Sequence, residues 1–236
     1  MQNFIAKSPS SIKVYNVVKA AVKLPVNIMI LGEVGTGKET LVSSLFDKIP
    51  RYSVANMPES LESETVFVRD FENVSDVIAF MRRYEGVRII AAATDARSIY
   101  EEYFPIVVTI PPLRERPEDV EALKKLYTKK AREEFELENF DEDFAVDLSK
   151  NAISLKRSVY ERALFATMDE AKMMAMLEEF LEPRIEEGYK ELLRIFEIPL
   201  LRAAKKRFRS VLAMSKALQL NRATLTTKLK RYGSKV

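Results

Sequence analysis

A short apolar run, Asn27–Leu31, leads into Gly32-Glu33-Val34-Gly35-Thr36-Gly37-Lys38-Glu39, and a helical pattern opens at Thr40. Glycines in a loop between a strand and a helix let successive backbone N–H groups turn inward. The helix N-terminus adds partial positive charge, and Lys38 supplies a full one. The arrangement predicts a phosphate loop, with Gly32, Glu33, Val34, Gly35, Thr36, Gly37, Lys38 and Glu39 as the nucleotide-binding residues. A bland alternative, a glycine-rich turn that merely joins strand to helix, explains neither the lysine nor its position.

The surrounding pattern supplies a sheet for that loop. Ser10–Lys23 has helical apolar spacing, and further helices are expected over Lys38–Lys48, Asn73–Tyr84 and Arg97–Tyr103. Short apolar strands are expected at Tyr52–Ala55, Thr65–Val68, Arg88–Ala92 and Ile106–Ile110. Strands separated by helices argue a parallel sheet covered on both faces. Pro111-Pro112 stops it. From Glu118 to Phe180 the sequence reads as helix almost throughout, with breaks near Glu138–Asn139 and Lys150–Ser154. A further helix, about Arg184 to Phe208, contains Pro199, which should kink rather than end it. The expected domains are 1–112 (α/β), 113–181 (all-α) and 182–236.

The chain has 236 residues and neither cysteine nor histidine. Disulfides, thiolate nucleophiles and imidazole acid–base chemistry are thereby excluded, and no metal site is expected. No apolar stretch reaches membrane-spanning length and the N-terminus lacks a signal-peptide pattern, so a cytoplasmic protein without a membrane partner is expected. The net charge of +3 conceals an asymmetry: from Ile198 to Val236 there are eleven Lys or Arg and no Asp or Glu. An acidic body with a wholly basic tail points to a polyanionic partner.

Within that tail, Ser210–Ala217 and Arg222–Tyr232 read as two short helices around Leu218–Asn221, with Asn221 as N-cap of the second. Leu225, Leu229 and Tyr232 share one face, which leaves Arg222, Ala223, Thr226, Thr227, Lys230 and Arg231 outward. A short basic helix with small polar residues at its start is suited to enter a major groove, while cations near its end hold phosphates.

At this point a resemblance emerges. Asn221-Arg222-Ala223-Thr224-Leu225 and Lys228-Leu229-Lys230-Arg231-Tyr232-Gly233 closely resemble the C-terminal helix-turn-helix of Fis and of the NtrC-type sigma-54 activators. Ile198-Pro199-Leu200-Leu201 resembles the Fis helix that forms the dimer interface. Lys7-Ser8-Pro9-Ser10, the glycine loop ending in Glu39, and Ile110–Asp119 (IPPLRERPED) resemble the AAA+ domain of those activators and its join to the helical lid. The resemblance implies a truncated AAA+ parallel-sheet domain, an all-α lid and a Fis-like helix-turn-helix. It implies double-stranded DNA as partner, contacted by Asn221, Arg222, Thr224 and Lys228 and supported by Thr227, Lys230 and Arg231. It also implies a homodimer. Gln219 and Thr226-Thr227 depart from the family's turn and its basic positions.

Between these motifs the catalytic residues of the family are replaced. Arg69 stands at the metal-directing Asp, Asp70 at the catalytic Glu, Thr94 at the sensor Asn, and Glu101 and Glu102 where arginine fingers lie. The lid signature is absent around Ala152–Arg157, leaving Arg97 and Arg157 as nearby cations. The segment between Lys38 and Asp70 is too short for the loop that touches sigma-54. The loop can still take ATP or ADP, whereas Arg69 counts against Mg2+. No catalytic residue is assigned beyond Asp70, the one candidate. The expected function is a DNA-binding transcriptional regulator with a hydrolysis-inactive AAA+ domain, acting on RNA polymerase or by occlusion. The alternatives are an ATPase with rearranged residues, using Asp70 and Arg97, and a module that modulates a full-length family member.

Overall fold

The computed structural model describes residues 3–138 and 140–233. Met1, Gln2, Asn139 (part of the expected break at Glu138–Asn139), Ser234, Lys235 and Val236 lie outside the described residues. The chain divides into two compact units, Met1–Thr167 and Met168–Val236.

The first unit is built on five parallel strands: β1 (Ile28–Leu31), β2 (Arg51–Ser53), β3 (Thr65–Arg69), β4 (Arg88–Ala93) and β5 (Ile106–Thr109). Their order is β2-β3-β4-β1-β5, so β1 lies between β4 and the edge strand β5, and Met29 sits in register with Ala91 on one side and Val107 on the other. All four β1 residues are buried because both sheet faces are covered. Ile28 and Ile30 face one core with Val18, Leu41 and Val42, from helices α1 (Pro9–Ala21) and α2 (Lys38–Leu45). Met29 and Leu31 face the other with Phe71, Val77, Tyr100 and Phe104. That second face is covered by α3 (Val77–Arg83) and α4 (Tyr100–Tyr103).

Most of the expected elements form, with shifted bounds. The β2 strand ends at Ser53 in a 3-10 turn, Val54–Asn56. The helix expected over Asn73–Tyr84 starts only at Val77, where the Asp76 carboxylate accepts from Ala79 N at 2.9 Å. The long helical stretch requires a larger correction. Helix α5 (Pro117–Phe135) ends at Glu136, whose φ of 52° leaves the helical region, and α6 (Ala152–Ala166) begins only after Asn151, also at φ 52°. Between them the described residues form no helix. This segment nevertheless contributes to the core, since Phe140 is buried beside Leu123, Tyr127, Leu155 and Val159.

In the second unit, α7 (Glu170–Leu181) is capped by Asp169 and buries no residue. A 3-10 turn, Glu182–Glu187, and Gly188 at φ 83° delay the next helix, so α8 spans Tyr189–Arg207 rather than starting at Arg184. Pro199 lies inside α8, which continues on both sides of it. Helices α9 (Val211–Ala217) and α10 (Arg222–Tyr232) follow, with Leu201, Ala204, Met214, Leu225 and Tyr232 as their shared core with α8.

Candidate functional site

The loop after β1 is shaped by its glycines. Gly35 and Gly37 hold φ of 81° and 101°, which side chains with a Cβ rarely adopt. A Cβ at Gly35 would also come within 2.4 Å of the Lys150 carbonyl oxygen, so close packing needs glycine there too. Lys38 Nζ donates to the carbonyls of Gly32 (2.5 Å) and Glu33 (3.1 Å), placing the cation against the loop it serves. Burial lowers the Lys38 pKa, opposed by the nearby charges of Glu72 and then Asp70.

The far side of the loop is fastened to the helical part of the same unit. Arg114 makes a bidentate pair with Glu33 at 2.6 and 2.9 Å. Asn151 donates to Glu33 (3.1 Å) and to the Val34 carbonyl (2.9 Å), and its oxygen accepts from Leu113 N at 2.7 Å. Ala152 N donates to the Gly35 carbonyl at 3.1 Å. The hydrogen bonds from Arg114, then Asn151, hold the Glu33 carboxyl down to about 2. Arg116, buried, donates to the Thr36 carbonyl (3.0 Å) and to Asp119 (3.1 Å). Asp119 in turn accepts from Lys7 N at 2.6 Å and Ser8 N at 2.8 Å. The IPPLRERPED segment therefore does more than join two layers. It fixes two loop residues, Glu33 through Arg114 and Thr36 through Arg116.

A cavity of about 550 Å³ opens over the loop. Its walls include Gly35, Gly37, Lys38 and Glu39, then Arg69, Asp70 and Glu72 after β3, and Thr94 after β4. Arg69 is half-exposed, 3.6 Å from Glu39 and 3.9 Å from Asp70. Helix α6 presents Ile153 and Lys156 to the cavity. The two cations singled out from sequence are engaged elsewhere. Arg97 donates to the backbone carbonyls of Glu72 and Val74, and Arg157 pairs with Asp147 and Glu161. Neither Glu72 nor Lys156 stands out in the sequence, because nothing in the spacing places them beside Lys38.

In the second unit, Asn221 caps α10 by accepting from Ala223 N at 2.8 Å. Leu225 and Tyr232 are buried and Leu229 is partly so, while Arg222, Thr224, Thr227, Lys230 and Arg231 are exposed. Thr227 returns its hydroxyl to the Ala223 carbonyl at 3.0 Å. Lys228 is placed differently from the others: its ammonium bonds the Glu197 carboxylate, which also accepts from the Tyr232 hydroxyl. These two partners hold the Glu197 pKa below its usual range, and Glu197 raises that of Tyr232. Lys228 thus ties α10 to α8.

Residues 4–67 match the Sigma-54 interaction domain family. Over these residues the chain is similar to the sigma-54 interaction domain. Among solved structures, NtrX from Brucella abortus in complex with ATP is similar at 16% identity and TM-score 0.57, over 99% of this chain and 70% of that one. The same protein with ADP matches at 15% identity and TM-score 0.52, over 98% and 70%. A DNA replication initiation factor matches at 18% identity and TM-score 0.51, over 97% and 89%. At such identities the likeness is one of fold. No curated protein matches the sequence. No helix among the described residues is long and apolar enough to cross a membrane.

Proposed function

We propose that this sigma-54 activator relative is a DNA-binding transcriptional regulator whose AAA+ domain binds nucleotide without turning it over. The observation that carries the proposal is the segregation of charge on α10. Its apolar residues enter the core of its unit while Arg222, Lys230 and Arg231 stay exposed, on a tail free of other acidic residues beyond Glu197. Helices α9 and α10 would act as the helix-turn-helix, with Asn221, Arg222, Thr224 and Thr227 at the bases and Lys230 and Arg231 on phosphates. Lys228, held by Glu197, would orient α10 rather than touch DNA. Exposed Phe196 and Leu200 on α8 support a homodimer formed through that helix, matching a two-fold DNA site.

The phosphate loop supports binding of ATP or ADP, the ligands named for the similar NtrX structures. Turnover needs groups that stabilise charge on the transferred phosphoryl, and Glu101 and Glu102 cannot supply it. Arg97, committed to the backbone of the turn after β3, argues against a rearranged ATPase. The family's name implies contact with sigma-54. Between α2 and β3 this chain has only β2 and a short 3-10 turn, so we read its action on polymerase as independent of a sigma-54 contact loop.

Calorimetry and phosphate release on the full chain test the nucleotide half. The expected result is ATP or ADP binding abolished by Lys38→Ala, with phosphate release at background in both proteins. An arginine finger alone contributes about 10³–10⁵ in rate in related enzymes, so its absence leaves a clear margin. Lys38-dependent turnover would establish the ATPase instead.

A further inference from the structure

The chain turns sharply where β3 ends. Asp70 takes φ 59° and ψ 36°, and the next three residues form a 3-10 turn. The turn leaves the Asp70 side chain about half-exposed and brings Glu72 to the cavity wall beside it. Three anchors fix it there. Phe71 is fully buried, edge-on to Phe80, Tyr100 and Phe104. Arg97 holds the backbone carbonyls of Glu72 and Val74. Thr94 donates its hydroxyl to Glu72 Oε1 at 2.8 Å.

Glu72 Oε2 is buried with no hydrogen-bond partner among the described residues. Lys38, whose pKa the Glu72 charge raises, gives its hydrogen bonds to Gly32 and Glu33 instead. A buried polar atom left unpaired is unfavourable, the more so when charged. Glu72 lines the cavity beside the phosphate loop, and a carboxylate there with one oxygen unpaired fits a cation that arrives with the ligand. Mg2+ keeps several waters and uses one or two carboxylates together with substrate phosphates, so a single carboxylate can serve it.

We propose that Glu72, positioned by Thr94, is the carboxylate that receives the divalent cation of a bound nucleotide, in place of the strand-end residues Arg69 and Asp70. The inference rests on the nucleotide-binding function proposed above and revises the expectation that Arg69 excludes Mg2+. Arg69 leans to Glu39 and Asp70, which partly answer its charge. Thr94 acts on the cation only through Glu72 and is a positioning residue.

The test measures ATP and ADP affinity of the full chain by calorimetry, with Mg2+ and with EDTA. Wild type should bind about tenfold more tightly with Mg2+, the scale on which second-layer changes alter metal affinity. Glu72→Gln should bind equally in both buffers, because the amide keeps the Thr94 hydrogen bond but loses the charge. Thr94→Ala should lose part of the Mg2+ response, and Asp70→Asn less than Glu72→Gln. Melting curves of each variant establish that it is folded, and a Glu72→Asp variant that regains some Mg2+ response excludes a purely structural effect. Nucleotide binding indifferent to Mg2+ in wild type, or a response that survives Glu72→Gln, overturns this inference alone. Binding of no nucleotide in either buffer overturns the nucleotide function and the inference with it.

Discussion

Replacing Asp119 by alanine should destabilise the sheet-containing unit by about 3–5 kcal/mol, the usual cost of removing one partner from a buried ion pair. Asp119 is completely buried, and Arg116 beside it is almost so. The carboxylate accepts two backbone N–H bonds, from Lys7 and Ser8, as well as the Arg116 guanidinium. Its loss would strand all three donors, and Arg116 already has an unpaired buried Nε. Because Arg116 also holds the Thr36 carbonyl, the same variant should loosen the phosphate loop. Urea unfolding measures the first effect. Removing the exposed pair Arg162–Asp141, 3.0 Å apart, should cost about 0–1 kcal/mol and serves as the comparison. Equal losses in the two variants would show that Asp119 and Arg116 are not the anchor described here.

DNA affinity should fall steeply with salt, and two kinds of variant should separate by how they change it. If each dimer neutralises about six to ten phosphates, log K should fall against log salt by about 0.9 per contact. Lys230→Ala and Arg231→Ala should weaken all sequences alike and shallow that slope. Arg222→Ala should instead reduce discrimination between sites by about 1–3 kcal/mol. Lys228→Met should act through stability rather than salt slope, since its ammonium is committed to Glu197. Fluorescence anisotropy over a salt series distinguishes these outcomes. A flat salt response, or unchanged site preference in Arg222→Ala, contradicts the assigned roles.

The parts of the molecule governed by local pattern are legible in its sequence. The continuous apolar run Ile28–Leu31 and the glycines that follow specify β1 and the loop, because strand burial and loop conformation are decided within a few residues. Capping residues do the same for α10, where Asn221 marks the boundary. What could not be read depends on distant partners. The chain between α5 and α6 is polar enough to pass for helix, yet Glu136 and Asn151 leave helical geometry, and Asn151 is held by the loop and by Leu113. Glu72 enters the cavity only because Asp70 turns the chain and Thr94 meets it from the next strand. The resemblance makes Lys228 a DNA contact, and no local pattern shows that α8 brings Glu197 against it.

The central claim, a regulator that works by binding specific DNA, is tested most directly by mapping the DNA bound by the full chain in its native cells. The account predicts discrete sites with two-fold related halves, occupied by the wild-type chain and lost or redistributed in Arg222→Ala while the protein level is unchanged. A bound-DNA profile no different from that of cells lacking the protein would contradict it.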